Sequence, residues 1–457
     1  MSPIRKFANR VNREFPNRVR SFLIKDKFIP RGKVVLPGDK SIAHRALILS
    51  ALSCGKTILE NFPVHGDSLA TLNALSALGV KILRKNNQVL VLGRGREGLK
   101  EPRKPIFVGD SGTTLRLLLG ILAAEDFEAK IIAGDYLSKR PMARVNLPLR
   151  LMGAHIVATI KGEEEYAPLV IRGGKLKGIV YRMPVASAQV KSAILLAGLS
   201  AQGKTRVIER FSTRDHTERM LKIFGTDIVT TKNSIILTPN KNLVTPGKIY
   251  IPGDISSAAF FMVLAAIVPG GKVVIEQVGL NPGRSGIINI LKRMKAKIKV
   301  TPWKKSRLQG SEPRGNIVVS SSSLKSTIID SSEIPALIDE LPVLMVAACF
   351  AQGKTIIKGV GELRAKETDR INSMVRNLEY MGANIKVKKN NLLDNIIIIG
   401  KDRLYGASLK SFGDHRTAMS MIVAALAAEG NSRIDDISCI SKSFPGFFTT
   451  LGALSKR

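Results

Sequence analysis

The chain has 457 residues, enough for two or three domains with large cores, and its 44% hydrophobic and 23% charged content fits a soluble globular protein. No apolar run reaches the ~18–20 residues a membrane-spanning helix needs, so no membrane span is expected. Lys and Arg number 71 against 36 Asp and Glu, a net charge of +35 that points to anionic partners: nucleic acid, an acidic membrane surface or polyanionic metabolites.

The basic residues are spread along the chain rather than blocked. With aromatic content of 5% and one Trp, platforms for stacking bases are scarce. The plainest account of the excess charge is a general Lys/Arg bias with no partner behind it. Cys54, Cys349 and Cys439 lie far apart without a CxxC spacing and read as small core residues of a reduced, cytoplasmic protein. His44, His65, His155, His216 and His415 show no metal-ligand spacing. Residues 1–28 carry Arg5, Lys6, Arg10, Arg13, Arg18, Arg20, Lys25 and Lys27 against Glu14 and Asp26. Lacking an apolar segment, they are not a secretory signal; they read as a solvated basic arm, with a transit peptide, for which Ser is sparse, as the alternative.

After the arm, an apolar strand from Lys33 to Leu36 runs through Pro37-Gly38-Asp39-Lys40-Ser41-Ile42-Ala43-His44-Arg45 into an apolar helix, Ala46 to Leu52. Backbone N–H groups, the helix dipole and the cations Lys40 and Arg45 converge there, which suits a phosphate or carboxylate. A capped helix start with two solvated cations is the alternative.

The unit that follows, a small-residue apolar helix, a Gly turn and a β-branched strand, occurs at 43–62, 113–134, 188–211, 256–279, 342–362 and 417–438. Helices apolar nearly all round are expected to be buried. A second unit alternates with it at 69–83, 145–157, 216–229, 286–300 and 369–387, its apolar residues falling on one helical face. Ala296 replaces the usual Gly in the fourth copy, and 447–454 is a truncated sixth. Six copies predict two similar α/β lobes of three units, residues 34–251 and residues 29–33 with 252–457. A cleft between basic lobes would take a small anionic ligand, and closure would exclude water. The stretch from Gly198 to Thr205 matches the phosphate-cradling G-x-x-x-x-G-K-T pattern. A helix precedes it and a strand follows, the reverse of the order that loop needs, so no nucleotide is expected.

Several helix entries carry chemistry. Gly112, in Gly109-Asp110-Ser111-Gly112-Thr113-Thr114-Leu115-Arg116, lets a ligand approach the backbone, and Ser111 and Thr113 are also ordinary N-cap residues. Arg140, in Ser138-Lys139-Arg140-Pro141, suits bidentate contact with carboxylate or phosphate. Ser187-Ala188-Gln189 and Thr213-Arg214-Asp215-His216 open further helices. Asp339, in Leu337-Ile338-Asp339-Glu340-Leu341-Pro342, is either an N-cap or a general base. Lys366, Glu367 and Arg370 can share one helical face, as a surface ion pair or as part of a site. Asp414-His415-Arg416 opens the last buried helix, and Lys442 precedes the truncated one. Arg45, Arg116, Arg214, Arg370 and Arg416 recur at one structural slot, a regularity solvated charges do not need, which points to a shared anionic site.

In this order PGDKSIAHR, GDSGTTLR, SKRPM, ASAQVKSA, STRDHTERM, IDELP, AKETDR, GDHRTAM and SKSFPGFF resemble the motifs of 5-enolpyruvylshikimate-3-phosphate synthases, from about Lys33 to the C-terminus. The resemblance implies a two-lobed α/β fold of six repeated βαβαββ units, three per lobe, with buried central helices and the active site in the cleft. It implies transfer of the enolpyruvyl group of phosphoenolpyruvate to the 5-hydroxyl of shikimate 3-phosphate, through a tetrahedral ketal that loses phosphate, on the route to chorismate and aromatic amino acids. Shikimate 3-phosphate would be held by Lys40, Ser41, Arg45, Ser187, Ala188, Gln189, Thr213, Arg214, Asp339 and Lys366. Phosphoenolpyruvate would be held by Lys40, Gly112, Arg140, Gln189, Arg370, Arg416 and Lys442. Asp339 matches the proton acceptor, Glu367 the carboxylate that handles the proton at C3, and Lys40 joins them in catalysis. A cytoplasmic monomer is expected, with small-molecule substrates, no cofactor, no metal, no membrane and no specific nucleic acid.

Three positions depart from the family pattern. Asp110 stands where Asn is frequent, Ala188 where some members have Ser, and Glu362 where some have Asn. Asp110 adds negative charge near the expected phosphoenolpyruvate position. A rival is the UDP-N-acetylglucosamine enolpyruvyl transferase, which shares the fold but carries a reactive Cys in the loop that here spans Gly134 to Arg140 without one. A second alternative is a nucleic-acid-binding protein on a related scaffold, for which only weak, salt-sensitive binding through residues 1–28 is expected.

Overall fold

The computed structural model describes residues 21–25, 28–239, 242–303, 310–389 and 394–455. These residues pack into two units, Pro37–Pro252 with 310–312, and 21–36 with Gly253–Trp303 and 313–455. Each unit has its own apolar core.

In the first unit the helices are α1 (Lys40–Leu52), α2 (Gly66–Ala77), α3 (Gly112–Leu122), α4 (Ala143–Met152), α5 (Ala188–Gly198) and α6 (His216–Ile223). Helices α1, α3 and α5 are buried almost all round, as their uniform apolarity requires. Small residues let them approach: a Cβ at Gly120 of α3 would lie 2.5 Å from the Ala193 carbonyl of α5. Helices α2, α4 and α6 bury one face.

Three four-stranded sheets surround this core. They run Lys248–Tyr250, Cys54–Glu60, Gln88–Arg94, Lys81–Lys85; then Ile106–Phe107, Glu128–Ile132, Glu164–Arg172, His155–Lys161; then Val180–Arg182, Thr205–Ile208, Ser234–Thr238, Asp227–Thr230. In each the first strand pairs parallel and the rest pair antiparallel.

The second unit repeats the scheme with α7 (Ile255–Ile267), α8 (Gly286–Arg293), α9 (Leu341–Cys349), α10 (Arg370–Tyr380), α11 (His415–Ala427) and α12 (Phe447–Ala453). Here α7, α9 and α11 pack on one another at the centre. Two sheets have four strands: Arg31–Val35, Lys272–Gly279, Arg314–Ser320, Lys297–Pro302, and Ile328–Ile329, Lys354–Ile357, Asn395–Ile399, Asn384–Lys388. Alternation of buried and half-buried residues along Arg314–Ser320 marks the face turned to the core.

The sixth sheet differs. Among the described residues the last repeat ends at α12, and Phe22–Ile24 pairs antiparallel with Ser432–Ile434 at the position that a hairpin strand takes in the other sheets. The Phe22 ring meets Phe448 edge-on at 5.0 Å, beside the linked rings of Phe444, Phe447, Phe260 and Phe261. The expectation of a solvated arm through residue 28 is corrected here, because Phe22, Ile24 and Phe28 are core residues. Residues 1–20, the bulk of that arm, lie outside the described residues. The expected division at 33/34 also moves: the strand runs to Val35, and the first unit begins at Pro37. At the reversed G-x-x-x-x-G-K-T stretch, α5 precedes and the strand Thr205–Ile208 follows.

Candidate active site

In the first unit the helix entries are tied into one ring. Asp39 caps α1 by accepting from Ile42 N at 3.0 Å, which places Lys40 and Ser41 in its first turn. Lys40 Nζ donates to Asp67 Oδ2 of α2 at 2.8 Å. Burial works to raise the Asp67 carboxyl, but Lys40 draws it down to about 2. Thr114 of α3 donates to Asp67 O at 3.3 Å and bonds Thr71 of α2 at 2.7 Å, and Thr71 bonds His44 of α1 at 2.6 Å. Arg45 is only 3% exposed. It donates to Thr217 of α6 at 2.6 Å, to Ser192 of α5 at 2.7 Å and to Ser41 O at 2.8 Å. Burial lowers its guanidinium to about 10, so it stays charged near neutral pH.

Ser187 caps α5 by accepting from Val190 N at 3.4 Å, so Ala188 and Gln189 open its first turn. Gln189 is held at both ends, accepting from Arg116 Nη1 at 2.9 Å and donating to Thr113 Oγ1 at 2.9 Å. A Cβ at Gly112 would lie 2.6 Å from Arg116 Nη1 and 3.3 Å from Arg140 Nη1, so the missing side chain makes room for two guanidinium groups. Burial, then the charges of Arg140 and Arg144, lower Arg116 to about 9. Thr213 donates to Glu209 at 2.5 Å, and Arg214 is close enough to Arg45 to repel it.

Asp110 Oδ1 accepts from Tyr136 N at 3.0 Å and Leu137 N at 3.1 Å. One oxygen of the departing carboxylate therefore anchors the loop that carries Arg140 to the entry of α3. Below the helix entries Lys191 reaches Glu218 at 2.6 Å and Glu209 at 3.0 Å, all three side chains almost fully buried.

In the second unit Asp339 is not an N-cap. Glu340 holds that position on α9 without a capping bond. The Asp339 carboxylate faces arginines instead: Oδ2 lies 3.4 Å from Arg284 Nη1, and Oδ1 lies 3.6 Å from Arg416 Nε and 3.8 Å from Arg370 Nη1. Its carbonyl accepts from Arg416 Nη1 at 2.7 Å. Arg370 is buried, with Nε 2.8 Å from Asp414 and Nη2 2.5 Å from Glu367. Burial would lower its guanidinium, but Asp414, Glu367 and Asp339 push it up. Asp414 caps α11, accepting from Arg416 N at 2.7 Å and Thr417 N at 3.1 Å.

Several details differ from the sequence reading. Helix α10 starts at Arg370 behind an Asp369 cap, so Lys366 and Glu367 precede it and share no helical face with it. Lys366 pairs with Glu362 at 2.7 Å. The supposed single arginine slot is several: Arg45 and Arg116 lie in second turns, Arg370 and Arg416 in first turns, and Arg214 ahead of its helix. Lys442 ends the 3-10 turn Ser438–Lys442, which packs on α11. Cys54 is exposed, whereas Cys349 and Cys439 are buried and pushed up by that burial to about 12. Asp67, Arg284 and Lys191 were not among the expected site residues. Their partners are distant in sequence, and only an acid in a helix's first turn hinted at Asp67. Among the described residues no group of His, Cys, Asp or Glu could hold a metal ion, and no helix is long and apolar enough to cross a membrane.

Burial lowers His44 to about 3 and His415 to about 4, from an ordinary value of 6.5. Both are neutral when folded and take up a proton on unfolding once pH falls below 6.5. Their contribution to stability is therefore complete above pH 6.5 and declines toward pH 3–4. Urea unfolding midpoints should fall as pH drops from about 6.5 to 5. Nuclear magnetic resonance titration should find both imidazoles still neutral at about pH 5, and a ring titrating near 6.5 would remove that residue from the account.

Residues 30–451 match the family model described as EPSP synthase (3-phosphoshikimate 1-carboxyvinyltransferase). The chain belongs to the EPSP synthase family. A 3-phosphoshikimate 1-carboxyvinyltransferase of Shouchella clausii is 46% identical over 423 residues, covering 93% of this chain and 96% of the relative. One from Desulforamulus reducens is 47% identical over 422 residues, covering 92% and 96%. The EPSP synthase structure from Acinetobacter baumannii superposes with a TM-score of 0.84 at 44% identity, covering 94% of this chain and 97% of that one. The enolpyruvyl transferase NikO of Streptomyces tendae, 15% identical with a TM-score of 0.75 over 94% and 97%, shares the fold. The motifs that carry the resemblance are thus those of an EPSP synthase family member, and Cys-dependent enolpyruvyl transfer to a UDP-sugar is not favoured.

Proposed function

We propose that this chain transfers the enolpyruvyl group of phosphoenolpyruvate to the 5-hydroxyl of shikimate 3-phosphate and releases phosphate, in the route to chorismate and aromatic amino acids. Each substrate phosphate carries about −1.5 to −2 at pH 7, so their joint binding needs many fixed cations. In this reading Lys40, Ser41, Arg45, Ser187, Ala188, Gln189, Thr213, Arg214, Asp339 and Lys366 hold shikimate 3-phosphate. Lys40, Gly112, Arg140, Gln189, Arg370, Arg416 and Lys442 hold phosphoenolpyruvate. The observation that carries the proposal is the setting of Asp339, a carboxylate that leaves the capping position to its neighbour and turns to three arginines.

The chemistry runs in two stages. The 5-hydroxyl oxygen bonds to C2 of phosphoenolpyruvate, its proton passes to Asp339, and Glu367 supplies the proton that arrives at C3. The resulting tetrahedral ketal then loses a C3 proton to Glu367 as the bond from C2 to the phosphate oxygen breaks, which restores the C2–C3 double bond, now as the enol ether of the product, and frees phosphate. Lys40 and the arginines stabilise charge on the departing group. In this reading the protein works as a cytoplasmic monomer.

A phosphate-release assay tests it. Mixed with phosphoenolpyruvate, the protein should release phosphate when shikimate 3-phosphate is added and not when UDP-N-acetylglucosamine is. Turnover with the UDP-sugar alone would reject the assignment.

A further inference from the structure

We propose that Arg284 is a positioning residue for the proton acceptor, fixing which oxygen of Asp339 meets the reacting hydroxyl. The inference rests on the role given to Asp339 above. Arg284 sits in the loop before α8, where it is 4% exposed. The loop is closed on itself: Asn281, also buried, accepts through its side chain from Gly283 N at 2.9 Å and through its carbonyl from Arg284 N and Ser285 N, both at 2.9 Å. The arginine stem thus leaves a rigid turn.

Its guanidinium joins two other elements. Nη2 donates to Asp254 Oδ1 at 3.0 Å and to Ser256 Oγ at 2.9 Å, at the start of α7, and Nη1 donates to Asp339 Oδ2 at 3.4 Å. Ser256 in turn bonds the carboxylate of Glu340, which is 1% exposed. A planar fork that bonds Asp254 and Ser256 on one side has little freedom on the other, which a flexible ammonium would retain. The two oxygens of Asp339 are divided as a result. Oδ2 turns to Arg284, while Oδ1 turns to Arg370 and Arg416, the residues assigned above to phosphoenolpyruvate. Arg284 is too deeply placed, and too engaged with Asp254 and Ser256, to be a ligand-binding arginine itself. Its work is to stop the carboxylate rotating away from the hydroxyl it deprotonates.

Steady-state kinetics of Arg284→Gln, Arg284→Lys, Asp339→Asn and the double variant Arg284→Gln/Asp339→Asn test this. Misplacing a reacting group by about an ångström costs roughly 100-fold, so Arg284→Gln should lose about that in kcat while KM for both substrates stays within about threefold. Arg284→Lys, which keeps the charge but not the fork, should recover roughly tenfold of the loss. The double variant should be no slower than Asp339→Asn alone, because Arg284 acts through Asp339. An unchanged kcat in both Arg284 variants, a rise in KM without a fall in kcat, or losses that multiply in the double variant would each overturn the proposal. If Arg284→Gln does not fold, the kcat and KM of Arg284→Lys decide by the same criteria. Should Asp339→Asn keep near-normal turnover, the proton-acceptor reading fails and this inference with it. A slow Asp339→Asn beside a fully active Arg284→Gln removes this inference alone.

Discussion

Asp339→Asn lowers kcat by about 1,000-fold or more and leaves substrate affinity within a few-fold. The amide has the same shape, and the Asp339 carbonyl that accepts from Arg416 is untouched, so the segment before α9 keeps its place. What disappears is the lone pair that accepts a proton in the transition state. A well-placed general base is worth roughly 100- to 10,000-fold, and the middle of that range corresponds to ~4 kcal/mol of barrier. Binding changes less, because the cations assigned to the two phosphates remain. Phosphate-release rates compared with calorimetric titration of shikimate 3-phosphate make the separation. Near-normal turnover removes Asp339 from the mechanism, and a collapse of affinity makes holding shikimate 3-phosphate, and not proton transfer, its main work.

Lys40→Ala should weaken both substrates, each by roughly 10- to 100-fold, since a charge-assisted contact is worth about 1.5–3 kcal/mol. The structure adds a reason for a large effect. Lys40 is held 2.8 Å from Asp67, a half-buried carboxylate that is drawn down to about 2 by that partner. Removing the lysine deletes a cation and uncovers an anion at the same helix entry. The second contribution has its own signature: Lys40→Ala/Asp67→Asn should bind phosphoenolpyruvate more tightly than Lys40→Ala alone. Equal affinities of the wild type and Lys40→Ala for both substrates would take Lys40 out of the site, and equal affinities of single and double variants would take Asp67 out.

Much of the framework was legible in the chain. Alternation of all-apolar with one-sided helices announces which are buried, because an element apolar on every side has no place at a surface. The Gly turns and β-branched runs between them mark the strands, and helix entries rich in Lys, Arg and hydroxyls raise the expectation of an anion site, since backbone N–H groups and side chains there depend on local order alone. The motif order from Lys40 to Lys442 was enough to place the chain in its family. Of the two candidate caps Ser111 and Thr113, the fold uses Ser111, and Thr113 lies inside the helix.

Other features needed the assembled units. Asp339 read more readily as a cap than as a base; the fold gives the cap position to Glu340 and turns the Asp339 carboxylate to Arg284, Arg370 and Arg416, which lie on other elements. Asp67 finds Lys40, and Lys191 finds Glu209 and Glu218, through packing of helices whose separation along the chain carries no periodic signal. Asp110 looked like unwanted charge until two backbone N–H groups of a later loop were seen to claim one of its oxygens. Phe22–Ile24 looked like part of a polar arm, because a three-residue strand is too short to declare itself before the strand it pairs with, more than 400 residues on, supplies its partner. Residue types and local spacing set the helices, the strands, the caps and the chemistry available. Which carboxylate met which cation was settled by distances across the folded units, because electrostatic and hydrogen-bond energies depend on separation in space and not on separation in sequence.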